Sequence, residues 1–353
     1  MILWSDNQSS PLSVGYGYTP DRLFDQLSKT GLPIRRNNST APAEIVPITN
    51  DLSLGYFKTT GPSDDIIINH SLPEFFVEST TYSIGFTFWE TNRLPDSWVQ
   101  DCNRMSEVWT CSTFMRDVFI NSGVKVPLYD FKLGVDPEIF YPIKRVRKNP
   151  FTFLSIGSPS TRKNSQMSVD AFIKVFGGKD GYRMIYKSNG PADARNFTGG
   201  MRSALKHPQI EIIDWEVPVE ELGRIYDLAD CLLYPTSGEG WGNIPFQGIA
   251  KAIPTICTNA TACEEYAEMS VPLDYTWSTE KMTGLYEGAG MWAMPSFDDL
   301  CDKMLYVVKN YDAVSNKTLE GAKYINENMT WDKVTKDYVD RLCQILNMLN
   351  KKV

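Results

Sequence analysis

The sequence predicts an α/β protein composed of two doubly wound domains, each built on a parallel sheet. Its 353 residues exceed the roughly 250–300 at which a single hydrophobic core stops growing, so two domains are expected. Short apolar runs alternate with longer segments of helical periodicity, which is typical of βαβ units. This alternation breaks at residues 142–150 and resumes with a fresh apolar run at 151–157, which indicates a domain boundary.

The first half of the sequence carries the pattern of one such domain, expected over residues 1–145. Its predicted strands lie at 66–68, 82–88 and 108–111, and its predicted helices at 95–105 and 113–122. Gly123 follows the second helix, and glycine is suited to end a helix because it adopts the left-handed conformation at little cost.

The second half repeats the pattern over residues 146–329. Its predicted strands lie at 151–157, 182–186, 210–213, 231–234 and 255–257, and its predicted helices at 165–176, 220–228 and 244–252. A final helix is predicted near the C-terminus, because apolar residues there fall three or four positions apart. We expect this C-terminal segment, residues 330–353, to pack back toward the first domain.

Composition and charge are those of an ordinary globular protein, with 42% apolar and 22% charged residues. A net charge of −8 and a pI of about 5.0 do not suit a protein that holds nucleic acid through counterion release. One small basic cluster, at 144–148, lies in the expected linker. It favours a solvated connector, and a phosphate-binding or membrane-surface patch is the alternative.

The cysteine pattern and the N-terminus favour a cytoplasmic location. The seven cysteines are odd in number and no pair has the spacing of a zinc site, so reduced thiols are expected. The first six residues carry no basic leader, and no stretch approaches the roughly 20 apolar residues of a transmembrane helix.

The most informative motif is the run 234–245, Tyr-Pro-Thr-Ser-Gly-Glu-Gly-Trp-Gly-Asn-Ile-Pro, between a predicted strand and a predicted helix. Ligands of doubly wound sheets bind beyond the carboxyl ends of the strands, where this run lies. Its small residues let the backbone approach a ligand, and the free N–H groups of a helix start suit a phosphate. Glu239 stands in its middle, and a carboxylate there must reach past a phosphate toward hydroxyl groups.

A second motif is the loop 157–164, which follows the first strand of the second half and contains Arg162 and Lys163. An arginine fork next to a lysine point charge suits a diphosphate. Two cations near a helix N-terminus are unfavourable against the helix dipole, so a bound anion is the better explanation. Lys187 and Val217 follow other strands of this half and are weaker candidates.

Both motifs resemble those of family 4 retaining glycosyltransferases, which have the GT-B fold of two Rossmann-like domains facing a cleft. Glu239 begins a run similar to the family's Glu-Gly-Phe-Gly signature, and residues 134–140 are similar to the Gly-Val-Asp run before its interdomain linker. The similarity extends over roughly residues 80–350. It implies transfer of a hexose or related sugar from a UDP- or GDP-linked donor to an acceptor hydroxyl, without metal or cofactor. The first domain would then bind the acceptor and the second the nucleotide sugar.

The resemblance also implies roles for individual residues. Glu239 would hydrogen-bond the donor sugar, while Arg162 and Lys163 would neutralise the departing diphosphate. Gln247 stands where the family usually has a second glutamate that binds the ribose. The other implied donor-binding residues are Gly15, Lys187, Val217, Gly240, Trp241, Gly242 and Asn243. The implied acceptor residues are Tyr16, Gly17 and Glu90, and His70 is expected near the sugar's C6 hydroxyl or the acceptor.

Other functions remain open at the level of the sequence. Gln247 is compatible with a nucleotide-sugar-binding protein that has no activity. A sugar-epimerising or phosphorylase-like protein of the same fold is a further alternative, although no motif for a pyridoxal phosphate lysine is found. The acceptor is equally open, since a glycan, a glycolipid, a protein or a modified nucleobase would each offer a hydroxyl group.

Overall fold

The computed structural model describes residues 1–6, 15–36, 66–190, 195–280 and 282–350. The chain divides into two compact units. Unit 1 comprises Met1–Phe88, Leu94–Leu133 and Trp331–Val353, and unit 2 comprises Trp89–Arg93 and Gly134–Thr330. Each unit contains one six-stranded parallel sheet with helices, so the predicted α/β class is confirmed.

Strands and helices alternate along much of the chain. The strands are β1 (Ile2–Asp6), β2 (Ile34–Arg36), β3 (Ile66–His70), β4 (Ser83–Phe86), β5 (Glu107–Thr110), β6 (Leu128–Asp130), β7 (Phe151–Ile156), β8 (Tyr182–Lys187), β9 (Ile210–Ile213), β10 (Cys231–Tyr234), β11 (Thr255–Thr258), β12 (Val271–Leu273), β13 (Tyr275–Ser278) and β14 (Trp292–Pro295). The helices are α1 (Gly15–Ser28), α2 (Asp96–Cys102), α3 (Thr113–Ser122), α4 (Ser165–Phe176), α5 (Gly199–Ala204), α6 (Val219–Asp227), α7 (Asn243–Ala250), α8 (Phe297–Lys309), α9 (Tyr311–Asn328) and α10 (Trp331–Asn350). Among the described residues, no helix combines the length and apolar character that crossing a bilayer requires.

The sheet of unit 1 has the strand order β2-β1-β3-β4-β5-β6, with parallel pairing throughout. The order reverses between β1 and β3, so the carboxyl ends of these two strands form the switch point of this sheet. Helix α3 illustrates how local sequence sets the elements. It begins at Ser112, whose hydroxyl accepts a hydrogen bond from the Met115 N–H at 3.2 Å, and it ends at Gly123 with a φ of 107°.

Helix α10 packs on the sheet of unit 1 although it follows unit 2 in the chain. Its Tyr338 is fully buried, with its ring centroid 4.6 Å from that of Phe131 and 5.6 Å from that of Trp109. On the same helix, Arg341 Nη2 lies 2.5 Å from Oε2 of Glu107, the first residue of β5. The Glu107 side chain is fully buried, so this ion pair fixes the helix to the sheet from inside the protein.

The sheet of unit 2 has the strand order β12-β11-β10-β7-β8-β9 and is also parallel throughout. When β7 to β12 are numbered 1 to 6 and the sheet is read from β9, this is the 3-2-1-4-5-6 order of Rossmann-type sheets. All six residues of β7 are buried, as expected for a central strand covered on both faces. The order reverses between β7 and β10, and the loops that follow these two neighbouring strands therefore border the ligand-binding crevice of such a sheet.

An antiparallel hairpin, β13–β14, is inserted in unit 2 between β12 and α8. The connection between its strands carries Tyr286, whose ring centroid lies 5.3 Å from that of Trp89. Within the same region, Thr91 Oγ1 donates a hydrogen bond to the backbone oxygen of Ala289 at 2.6 Å. These contacts explain why the short segment Trp89–Arg93 belongs to unit 2 rather than to the unit that surrounds it in sequence.

The basic cluster at 144–148 is partly built into unit 2. The Arg145 side chain is 7% exposed, and its guanidinium pairs with Asp227 at 2.9 Å. Lys148 donates from Nζ to the backbone oxygen of Asp227 at 2.7 Å and from its backbone N–H to Asp230 Oδ1 at 2.9 Å. The expectation of a solvated connector is therefore wrong for these two residues, because groups of unit 2 take up their hydrogen bonds and charge.

Candidate active site

The two motif-bearing loops lie side by side because they follow β7 and β10, which are hydrogen-bonded neighbours. The Ser237 N–H donates to the backbone oxygen of Arg162 at 2.7 Å. Asn164, with a left-handed φ of 49°, turns its amide back to donate to the Pro235 oxygen at 2.9 Å and to Ser237 Oγ at 2.7 Å. The loops 157–164 and 235–242 are therefore one connected structure at the switch point of the sheet.

Two glycines are required where the backbone of the second loop meets its surroundings. A Cβ on Gly238 would lie 2.1 Å from the backbone oxygen of Glu90, so a side chain is excluded there unless the backbone shifts. Gly242 has a φ of 85°, and a Cβ there would lie 2.4 Å from the Tyr266 hydroxyl. Close packing beside the loop thus explains two of its three glycines.

Glu239 lies at the centre of the cluster and is only 6% exposed. Its Oε1 accepts from Lys163 Nζ at 2.6 Å and from the Thr236 hydroxyl at 2.8 Å. The Tyr234 hydroxyl donates to the same oxygen at 3.0 Å, and Arg162 Nη1 lies 3.2 Å from it. The structure therefore brings together the three residues for which the sequence predicts donor-sugar and diphosphate contacts, and their roles stay predictions.

The charges of this cluster depend strongly on one another. Burial alone would raise the pKa of Glu239, but the nearby charges of Lys163 and Arg162 outweigh it and bring that pKa to about 2. Burial lowers the pKa of Lys163 despite the attraction of Glu239. Burial also opposes the charge of Arg162, but the carboxylates of Glu90 and Glu239 hold its pKa well above the usual range. Glu239 is thus an ionised carboxylate that faces two cations.

Glu90 lies next to this cluster. Its Oε1 is 3.6 Å from Arg162 Nη2, and its Oε2 accepts a hydrogen bond from the Tyr286 hydroxyl at 2.9 Å. The resemblance implies that Glu90 contacts the acceptor, and that contact stays a prediction. Tyr286 was missed, because nothing in the local sequence around it marks it as a neighbour of the residue at position 90.

The loops after β8 and β9 adjoin the first motif. Lys187 is buried and donates from Nζ to the backbone oxygens of Ser188 and, at 2.8 Å, Trp215. Asn189 Nδ2 donates to Ser158 Oγ at 2.8 Å, which ties the loop after β8 to the loop after β7. Lys187 thus braces two loops through their backbones in this structure. The predicted contacts of Lys187 and of half-buried Val217 with the donor stay predictions.

The other predicted donor residues lie at the end of the glycine-rich loop and on α7. Gly240 is buried and Asn243, the first residue of α7, is half-buried. Trp241 is 3% exposed and its ring centroid lies 5.1 Å from that of Phe246, so much of this indole serves packing. Gln247 is 4% exposed, and its Oε1 accepts from the Tyr226 hydroxyl at 3.3 Å. Its contact with a ribose stays a prediction.

Unit 1 carries the remaining predicted residues. His70 ends β3 and is 1% exposed, with its ring 5.9 Å from that of Trp4 in a stacked arrangement. Burial lowers the pKa of His70 to about 4, although the nearby Asp6 carboxylate opposes this, so the imidazole is neutral at physiological pH.

The other predicted residues of unit 1 lie at the start of α1, and Gly15 is the first residue of that helix. The backbones of Tyr16 and Gly17 also belong to α1, but the side chain of Tyr16 lies outside the described part of the chain.

The positive charge of the candidate site comes from Arg162 and Lys163. In the described ranges, no group of three or more His, Cys, Asp or Glu side chains is placed to hold a metal ion. Two cations, an ionised carboxylate and the hydroxyls around it form a site that is suited to a ligand with both phosphate and hydroxyl groups.

No protein-family model matches the sequence, and a search of curated proteins finds no relative. Solved structures do match. Sucrose-phosphate synthase from Thermosynechococcus elongatus superposes with a TM-score of 0.72 at 10% identity, over 98% of this chain and 99% of that one. A glycosyltransferase from Rickettsia africae gives a TM-score of 0.67 at 12% identity, over 98% of each chain.

A third match is HepE from Anabaena, solved in complex with UDP and glucose. Its TM-score is 0.67 at 10% identity, and the match covers 97% of this chain and 99% of that one. At such low identity these matches show the fold alone. The fold of this chain is GT-B, as the resemblance of its motifs implies.

Proposed function

We propose that the protein is a retaining glycosyltransferase. It moves a hexose or related sugar from a UDP- or GDP-linked donor to an acceptor hydroxyl. The observation that carries the proposal is the cluster at the switch point of the second sheet, where Glu239 lies within ion-pairing distance of both Arg162 and Lys163. The shared fold with sucrose-phosphate synthase and HepE supports the same reaction class.

The proposed chemistry divides between the two cations and the carboxylate. Arg162 and Lys163 bind the diphosphate and offset the negative charge that grows on it as the bond from the sugar C1 to the phosphate oxygen breaks. Glu239 accepts hydrogen bonds from the sugar hydroxyls and so fixes the ring relative to the diphosphate. The two positive side chains serve the departing diphosphate, so we propose a reaction without metal or cofactor.

Retention of the anomeric configuration follows from attack on the face that the diphosphate leaves. In this proposal the acceptor oxygen forms the new bond to C1 on that face, and its proton passes to the departing phosphate oxygen. Electrons and protons balance without a covalent enzyme intermediate. The catalytic contribution of the protein is then positioning and electrostatic stabilisation.

The remaining donor and acceptor contacts are extensions of the proposal. Gln247 would bind the ribose through its amide, while Val217 and Lys187 would border the base and phosphates. Unit 1 would supply acceptor contacts near His70 and near the start of α1. A glycan, a glycolipid or another hydroxyl-bearing acceptor fits this scheme equally, and a cytoplasmic location would give access to nucleotide sugars.

The test is turnover of a panel of UDP- and GDP-sugars, measured as release of UDP or GDP with water or added sugars as acceptor. Wild-type protein should release nucleotide from one donor, and Glu239→Ala should reduce the rate by roughly a hundredfold or more. Glu138→Ala is the matched control, because Glu138 is exposed on another part of unit 2. Full activity of Glu239→Ala would refute the assignment.

Thermal unfolding with the same donors distinguishes the transferase from a nucleotide-sugar-binding protein without activity. A donor at 100 times its dissociation constant should stabilise the protein by about 2.7 kcal/mol, which thermal unfolding detects. Stabilisation by a donor that is never turned over, with any acceptor, would favour a nucleotide-sugar-binding protein.

A further inference from the structure

We propose that Glu90 is a positioning residue for Arg162: its carboxylate holds the guanidinium when no diphosphate is bound and gives it up when one binds. This inference rests on the proposed function, because it assumes that Arg162 binds the donor diphosphate. It assigns to Glu90 a role that acts through Arg162 rather than through contact with the reacting atoms.

The position of Glu90 is fixed by its backbone. Its carbonyl oxygen lies so close to Gly238 that a Cβ there would approach it to 2.1 Å. One residue later, the fully buried Thr91 donates to the Ala289 oxygen. The Asn92 side chain accepts from the Met291 N–H at 2.8 Å. The segment Trp89–Arg93 is therefore held between the glycine-rich loop and the β13–β14 connection.

The carboxylate of Glu90 is also oriented. Tyr286 donates to Oε2, which leaves Oε1 directed toward Arg162. The Tyr286 ring is itself fixed between two tryptophans, with ring centroids 5.3 Å from Trp89 and 5.2 Å from Trp292. The hydrogen bond from Tyr286, and the packing that holds its ring, therefore fix the orientation of the Glu90 carboxylate.

The charges explain why this carboxylate is placed there. The carboxylates of Glu239 and Glu90 balance the charges of Arg162 and Lys163. Glu239 is bound by four donor groups, whereas Glu90 faces Arg162 at the longer distance of 3.6 Å. When a diphosphate brings further negative charge, Glu90 is the partner that loses least by releasing Arg162. After transfer it competes for Arg162 again and favours departure of the nucleoside diphosphate.

This role predicts an unusual pattern for Glu90→Gln, which keeps the shape of the side chain but removes its charge. The variant should bind UDP or GDP roughly tenfold more tightly, because a like charge beside the diphosphate is gone. Turnover should fall roughly tenfold, since the nucleoside diphosphate leaves more slowly and the guanidinium loses one of the two carboxylates that position it. The KM for the donor should fall together with kcat.

The experiment measures the dissociation constants of UDP and GDP by titration calorimetry, and nucleotide release from the donor that the wild type turns over. The matched control is Glu138→Gln, at an exposed glutamate of the same unit. Tyr286→Phe keeps the charge of Glu90 and removes only its orienting hydrogen bond. It should lower kcat without the tighter binding.

The outcomes separate the two hypotheses. If wild-type protein binds neither UDP nor GDP, the proposed function fails and this inference fails with it. If wild-type protein binds one of them and Glu90→Gln binds it equally or more weakly, the positioning role is refuted while the proposed function stands. Tighter binding by Glu90→Gln with slower turnover supports the inference, because a purely structural role for Glu90 would weaken both.

Discussion

Glu239→Gln should lower the free energy of unfolding of the ligand-free protein by about 3 kcal/mol at neutral pH. The pKa of Glu239 lies at about 2 against an ordinary value of 4.5. Each difference of one in pKa between the folded and unfolded states is worth about 1.4 kcal/mol, and the difference here is roughly 2.5. The glutamine keeps the size of the side chain and its acceptor oxygen, so the loss measures the charge.

The direction of the pH dependence follows from the lowered pKa. A carboxylate with a lowered pKa in the folded state contributes its full stability above its ordinary pKa of 4.5, and this contribution is lost as pH falls toward 2. The difference between wild-type protein and Glu239→Gln should therefore be constant from about pH 8 to pH 5.5. By about pH 3.5 it should have shrunk by roughly 40%.

Urea unfolding of both proteins at several pH values measures this difference. Glu138→Gln serves as control and should stay within about 0.5 kcal/mol of wild type, because an exposed side chain makes little contribution. A Glu239→Gln variant as stable as wild type at pH 7 would refute the reasoning. So would a loss that is the same at pH 7 and pH 3.5, since it would arise from packing rather than from charge.

Two further substitutions test features of the fold. Arg341→Met should lower the free energy of unfolding by about 3 kcal/mol in urea titrations, because it leaves the buried carboxylate of Glu107 without its cation. Adding Glu107→Gln should recover part of this loss, whereas a loss under about 1 kcal/mol for Arg341→Met would show that the pair does not fix the helix. Gly238→Ala should lower the melting temperature by several degrees and reduce turnover, because its Cβ would lie 2.1 Å from a backbone oxygen. Gly199→Ala is the control: a Cβ at this position would have no atom within 4 Å, so this variant should melt like wild type. Equal melting of both alanine variants would contradict the close packing at position 238.

Most elements of the fold can be predicted from the sequence because their signals are local. The helix at Thr113–Ser122 and the strand at Cys231–Tyr234 have the predicted bounds. The predictions omit the three-residue strands β6 and β12, whose signals are short, and they also omit the longer helices α8 and α9. They also fail for the β13–β14 hairpin, since thirteen residues separate its strands and no tight turn marks it.

The candidate site was only partly predictable for a related reason. Two loops that follow neighbouring strands of one sheet can be expected to meet, and Glu239 does lie beside Lys163. The contact of Glu90 with Arg162 could not be expected, because it depends on a segment of five residues that packs with unit 2 instead of with its neighbours in sequence. Tyr286 was unrecognised because its partner lies almost two hundred positions away.

Unit 1 is formed by stretches on both sides of unit 2, and this has a consequence for how the chain is made. A ribosome that adds about 5–20 residues per second needs roughly 10–40 s for the approximately 200 residues between Leu133 and Trp331. During that interval the rings of Trp109 and Phe131, which Tyr338 later covers, are not yet covered by α10, and Glu107 has not yet met the guanidinium of Arg341. Unit 2 is therefore synthesised completely before unit 1, although unit 1 begins first. We expect molecular chaperones to bind the incomplete unit 1 during this interval.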